Sequence, residues 1–451
     1  VIDQPYSKRP VGGLRYRFFM LYFLLLAVPF PLASNRPVFQ WFWVIYIAIL
    51  SLWHFSLTRP SERKNSGFVA TFLLISIAIV VWTWTDMVLG TTATPPVSLP
   101  KPEVGTSLEF VTGHRGISVL FLLSHAIWFA VIFDISRSIR DAKYIVRFIG
   151  ITCALYASYG LVAYFAGNST VLWYEKWAYH ESLTSTFVNR NSFAAFCGLG
   201  LQALLAYAFC SRETNEAGFR SHMIAFLQVM AGSGAILILA IFVTATALIL
   251  SGSRAGMLSS FIATTIYFVA YLVHSGTQTR SMIRSITGSA LFLLVVGLML
   301  EISGDSILGR FQQLDNADQR FFAYPLILDA IKHQPLSGYG FGSFIDVFRV
   351  FRTPEMYSFF DRAHSDILEL VMTVGLPAAI LIFWLVCHIL YRLFRALKSS
   401  NKSRPLILLG ITTSIQIGLH SLVDFSLQMP AVSYTYLAIL ATSLSVSDRT
   451  N

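Results

Sequence analysis

Charge is scarce in this sequence. Only 12% of the 451 residues are Asp, Glu, Lys or Arg, about half the share in ordinary soluble domains. That scarcity excludes a chain whose surface is mostly solvated. Cysteine is nearly absent as well: Cys153, Cys197, Cys210 and Cys387 all lie in or beside apolar runs, and none has a C-x-x-C partner. A disulfide framework and a zinc site of the usual spacing are therefore not predicted. No Asp-x-Asp pair occurs, so a divalent-metal diphosphate site built on carboxylates has no support. There is no internal repeat, no low-complexity tract and no soluble domain at either end.

Apolar residues fill the space instead. They make up 55% of the chain, with 37 Phe, 19 Tyr and 9 Trp. Apolar runs long enough to cross a hydrocarbon core of roughly 30 Å recur from end to end. Short alternating segments, the mark of a β-barrel, are missing. The pattern predicts an all-α polytopic membrane protein, a single integral membrane domain over residues 1–451. About twelve spans are predicted by segment length: 17–33, 38–57, 67–89, 116–133, 144–166, 191–210, 223–250, 257–274, 286–301, 364–390, 405–420 and 431–446. The first resembles a signal peptide, with Lys8, Arg9, Arg15 and Arg17 ahead of its apolar run. It reads as a retained anchor, since more spans follow.

The net charge of +10 suggests nucleic acid in a soluble protein and cytoplasmic anchoring in a membrane protein, so its placement decides. Lys and Arg are dense at residues 1–17, at Arg59, Arg63 and Lys64, at Arg137, Arg140 and Lys143, at Arg212 and Arg220, at Arg280 and Arg284, over Arg392–Arg404 and at Arg449. That set is predicted to face the cytoplasm, with both termini inside, and no nucleic-acid partner is expected. The connections 34–37, 90–115, 167–190, 251–256, 302–363 and 421–430 are then outer. The longest, 302–363, is a predicted loop with helical segments between the ninth and tenth spans, and connections of that size are usually functional.

Against this bias three arginines fall on the predicted outer side: Arg190 in FVNRNS (187–192), Arg254 in SGSRAG (251–256) and Arg320 in DQRF (318–321). An arginine at a span end can simply snorkel to the headgroups. Three on one face, two of them among small residues, point instead to an anion site. The guanidinium fork matches phosphate oxygens, and Gly252 and Gly256 let backbone N–H groups approach.

In AHSDILEL (363–370), His364 stands at the outer boundary of the tenth span, beside the long loop. It is either a general base or a structural residue at the helix start. Asp366 and Glu369 are placed to interact with the helix dipole or to orient the imidazole. Gly375-Leu376-Pro377 predicts a loosened or kinked span. In LHSLVDF (419–425), His420 and Asp424 share a helix face where the helix continues through them, with structural support favoured over catalysis. His114, His180 and His333 have no supporting pattern and read as surface residues. PLSGYGFG (335–342) lacks the GxGxxG spacing and follows no strand, so it reads as a tight turn rather than a nucleotide loop.

Five stretches, in order, are FVNRNSFAAF, SGSRAG, DQRFFAYPLILDAIKHQPLSGYGFGSF, AHSDILELVMTVGLP and LHSLVDFSLQMPA. Together they resemble the O-antigen ligase and polymerase superfamily of bacterial envelope glycosyltransferases, over roughly residues 180–435. That resemblance implies a GT-C-type fold in the bacterial inner membrane and a glycan donor on undecaprenyl diphosphate. It implies transfer on the periplasmic face to a glycan or lipid A–core acceptor, without metal or other cofactor. It carries over Arg190 and Arg254 as holders of the diphosphate, Arg320 as a helper from the loop, and His364 as the group acting on the acceptor hydroxyl. Asp366, Glu369, His420 and Asp424 are then supporting residues. An O-antigen ligase in lipopolysaccharide biosynthesis is the expectation; an O-antigen or exopolysaccharide polymerase is the alternative. A lipid-linked glycan flippase is more remote, because the spans carry almost no charge in their middles and the notable charges gather at one face.

Overall fold

The computed structural model describes residues 11–58, 66–89, 108–136, 138–210, 233–274, 320–354, 356, 360–398 and 403–448. Thirteen helices run through these residues. They are α1 (Val11–Ala27), α2 (Pro37–Leu57), α3 (Ser66–Leu89), α4 (Leu108–Ile135), α5 (Ile139–Phe165), α6 (Arg190–Cys210), α7 (Ser233–Leu250), α8 (Arg254–His274), α9 (Arg320–His333), α10 (Phe344–Phe351), α11 (Asp366–Leu397), α12 (Arg404–Ser421) and α13 (Pro430–Ser447). The one departure from an all-α chain among the described residues is a small antiparallel hairpin, β1 (Thr170–Val171) with β2 (Tyr174–Glu175).

A helix lies over every predicted span but 286–301, which falls outside the described residues. Five of them, Pro37–Leu57, Ser118–Ile135, Ile139–Phe165, Arg190–Cys210 and Asp366–Leu397, are long and apolar enough to cross a membrane. The boundaries differ from expectation for local reasons. The helix of the first span stops at Ala27 rather than at residue 33, because Pro29 and Pro31 cannot donate to a continuing ladder. A short 3-10 turn, Leu32–Ser34, follows. Arg254 is the first residue of α8, so the expected gap 251–256 is only the turn Ser251-Gly252-Ser253.

The buried centre is α6, α12 and α13. Nearly every residue of α13 is covered, although the helix is rich in Ser, Thr and Ala. Small residues let membrane helices approach closely, and their hydroxyls bond within or across helices. A Cβ on Gly410 of α12 would meet the Ser443 side chain of α13 at 2.6 Å. Across helices, Gln202 Nε2 donates to Gln416 Oε1 at 2.5 Å, Gln416 Nε2 to the Ala195 carbonyl at 3.0 Å, and Trp128 Nε1 to the Tyr434 carbonyl at 2.9 Å. The outer helices expose large apolar side chains, such as Trp41, Phe42 and Ile45 on α2 and Ile380, Phe383 and Trp384 on α11. That arrangement suits a lipid-facing surface.

Helix α11 is broken at Gly375, with φ 78° and ψ 163°, a conformation almost confined to glycine. Pro377, lacking an N–H, leaves the Thr373 carbonyl without its helical partner. The 335–342 stretch fills the breach. Tyr339 N–H donates to the Met372 carbonyl at 3.1 Å, Gly340 N–H to the Thr373 carbonyl at 2.8 Å, and Leu376 N–H to the Pro335 carbonyl at 2.8 Å. PLSGYGFG is thus a structural turn docked by its backbone on the helix break.

Candidate active site

Arg190, Arg254 and Arg320 each open a helix: α6, α8 and α9. A cation there opposes the positive end of the helix dipole, an unfavourable placement of about 0.3–1 kcal/mol each. The same positive dipole ends attract anions. Arginine at a helix start serves an anionic partner better than it serves the helix.

The Arg190 guanidinium is half-buried. It donates to Ser182 Oγ at 3.2 Å and lies over the Tyr179 ring at 5.4 Å. A Cβ built on Gly252 would stand 3.7 Å from its NH1 and 3.6 Å from Ser182 Oγ. Gly252 has φ +63°, and its open surface lets the guanidinium rest on the turn two residues before Arg254. The turn is internally fixed: Ser253 N–H donates to Ser251 Oγ at 3.2 Å, Gly256 N–H to Ser253 Oγ at 3.2 Å, and Leu183 N–H to the Leu250 carbonyl at 3.0 Å. Arg254 is exposed at its rim. Arg190 and the SGSRAG stretch, distant in sequence, are therefore neighbours.

The next residue links this cation pair to the histidine. Asn191 Nδ2 donates to Asp424 Oδ2. The Asp424 carbonyl in turn accepts from the Asp366 N–H at 3.0 Å. Asp424 is fully buried and also accepts from Phe425 N–H at 2.8 Å. His364 lies two residues before Asp366, half-buried and in the left-handed region at φ 53°. Its ring meets Phe425 edge-on at 5.0 Å and Phe360 at 5.7 Å. Its carbonyl accepts from Tyr324 Oη at 2.9 Å. Tyr324 is one helical turn beyond Arg320, so the start of α9 lies over the histidine; the Arg320 side chain is outside the described set.

Neither candidate orienting carboxylate bonds to the imidazole. Asp366 Oδ2 accepts from Ser421 Oγ at 2.9 Å and from Leu427 N–H at 3.2 Å. Glu369 accepts from Ala363 N–H at 2.8 Å and faces Arg362 at 3.5 Å. Ser365 caps α11, its Oγ accepting from Leu368 N–H at 3.4 Å and donating to the Ser421 carbonyl at 3.2 Å. These groups fix the backbone on both sides of His364, and its ring packs against Phe360 and Phe425. His420 is buried at the end of α12, and its carbonyl accepts from Asp424 N–H at 3.0 Å. It supports Asp424 through the backbone.

Beside Asp366 and Glu369 a cavity of about 320 Å³ runs into the helices. Arg362, Phe341 and Gly342 stand at its polar end; Phe72, Phe129, Leu385 and Ile389 line its apolar depth. Sequence reasoning missed Asn191, Ser182 and Tyr324 as members of this assembly. Asn191 and Ser182 are polar residues near a flagged arginine, which is the only signal they carry. Their partners come from elsewhere in the fold, Asp424 being 233 residues from Asn191.

No curated protein matches the chain. The O-Antigen ligase family model matches residues 239–383, a segment that includes Arg254, Arg320 and His364 but stops short of Asp424 and begins after Arg190. Over that segment the chain matches the O-antigen ligase family, the superfamily that its ordered motifs resemble.

Proposed function

We propose that this protein moves an oligo- or polysaccharide from undecaprenyl diphosphate to an acceptor hydroxyl on the periplasmic face of the inner membrane. It does so as an O-antigen ligase with lipid A–core as acceptor. The observation that carries the reading is the convergence of Arg190 on the turn before Arg254, joined through Asn191 and Asp424 to the segment that bears His364.

In this reading Arg190 and Arg254 hold the diphosphate, with Arg320 assisting from the start of α9. Cleaving the glycosyl–phosphate bond leaves negative charge on the departing diphosphate. The guanidinium groups and the positive ends of two helix dipoles stabilise that charge as it develops. The neutral His364 imidazole accepts the proton of the attacking hydroxyl, which is a poor nucleophile without a base. The sugar carbon exchanges its bond to the diphosphate for one to the acceptor oxygen, so a single displacement inverts the anomeric centre. The apolar cavity beside Asp366 suits the hydrocarbon chain of a lipid-borne reactant.

Arg254→Ala and His364→Ala are each expected to lower transfer about 100-fold or more, with protein abundance in the membrane unchanged. Transfer at the normal rate in either variant would refute the assignment. In a deletion strain, loss of glycan from lipid A–core with long lipid-linked chains retained marks a ligase. Accumulation of single repeat units marks a polymerase instead.

A further inference from the structure

The loop between α5 and α6 buries a lysine. Lys176 follows β2 and is 3% exposed. Its ammonium donates to the Ser182 carbonyl at 2.7 Å and to Asn168 Oδ1 at 2.9 Å. Asn168 is held in turn, its amide donating to the carbonyls of Ser182, at 3.1 Å, and His180. Among the described residues no carboxylate lies within ion-pair distance of Lys176. The hydroxyl of the same Ser182 accepts from Arg190 at 3.2 Å. One serine is thus gripped by two cations, at its carbonyl by the lysine and at its hydroxyl by the arginine.

We propose that Lys176 is a positioning residue of the diphosphate site, fixing Ser182 so that its hydroxyl aims the Arg190 guanidinium at the 251–254 turn, and adding positive charge behind the phosphate-binding face. The inference rests on the proposed diphosphate role of Arg190. Covering an ammonium without a counter-ion is costly, and a second cation bonds the same serine. A neutral donor would tie Asn168 to Ser182 at lower cost. An anion bound at Arg190 lowers the energy of both cations at once.

Desolvation under the loop pulls the Lys176 pKa down from 10.5 to about 8. The charged and titratable groups of its loop are Glu175, Tyr179, His180 and Glu181; Tyr159 of α5 accepts from Leu172 N–H in the loop, and Arg190 of α6 lies over the Tyr179 ring. The sign separates the two roles. Between pH of about 8 and 10.5 the unfolded chain holds the proton and the folded chain has lost it, so folding stability rises with pH through that window. Attraction for a diphosphate falls over the same window. A residue kept only for the fold has no reason to show the second trend.

The test is equilibrium binding of undecaprenyl diphosphate to the full-length protein in lipid nanodiscs at pH 7, 8 and 9. Wild type is expected to lose affinity on the order of tenfold across that range. Lys176→Met should bind weakly at every pH with a flat profile. Lys176→Arg should restore binding at pH 7 and carry it to higher pH. Wild-type affinity at pH 7 in Lys176→Met, or a flat wild-type profile, would overturn the inference while leaving the Arg190 reading in place. Unchanged affinity in Arg190→Ala would remove the diphosphate reading and this inference with it. Should Lys176→Met fail to fold, the wild-type profile and Lys176→Arg decide the matter.

Discussion

At the scale of single residues the site depends on directional bonds more than on charge alone. Arg254→Lys keeps the charge and loses the fork. Transfer is expected to fall well below wild type, with diphosphate affinity reduced less than in Arg254→Ala; equal rates for the lysine variant and wild type would show that a point charge suffices. Asp424 makes the opposite kind of contribution, since its carboxylate and its carbonyl join α6 to α11. Asp424→Ala leaves the buried Asn191 amide unpaired, at a cost of about 1–3 kcal/mol. A lowered unfolding temperature with matching loss of transfer is the expected result; full activity would mean that the Asn191–Asp424 bond does not set the site. The arginines and His364 were legible because each breaks a local rule, charge on the face that should have little or a histidine at a helix start. Asn191, Ser182 and Lys176 were not legible. Their roles come from partners that only the folded chain supplies.

At the scale of elements, helix α11 shows how a sequence conflict is resolved by tertiary contact. Gly375 and Pro377 made the break readable in advance. The repair was not readable, because it comes from the backbone of residues 335–340, whose glycines looked like an ordinary turn. A Cβ at Gly375 would run into the Leu336 carbonyl, and its φ of +78° is strained for any other residue. Gly375→Ala is expected to cost about 1–3 kcal/mol from backbone strain alone and to loosen the loop over His364. Limited proteolysis of the 335–342 stretch reads this directly, and protection equal to wild type would refute it. The ends of α2 and α4 make a second case. His54 and Asp134 pair at 2.7 Å, nearly inaccessible. Asp134→Ala should cost about 3–5 kcal/mol by stranding a buried partner, with no change in diphosphate affinity in the protein that remains folded.

At the scale of the whole molecule, the helical segments followed from hydrophobic length, which is why their placement was nearly complete in the sequence. The pairing order of the helices was not, since apolar faces of α6, α12 and α13 are interchangeable by composition. His364, Arg190 and Arg254 gather at one end of the bundle, while Arg392 bonds Asp448 and Lys143 bonds the Cys210 carbonyl near the other helix ends. Cysteine placed at Glu181, an exposed position, should react with a membrane-impermeant maleimide in intact spheroplasts. Reaction only after the membrane is opened would put the site on the cytoplasmic side and defeat the proposed periplasmic chemistry.

The tie from Asn191 to Asp424 reaches across both borders of the stretch that matches the ligase family. That stretch is consequently not a transplantable module. Grafted into a foreign scaffold, residues 239–383 would bring their arginine and histidine but leave behind the anchors that hold the two in register.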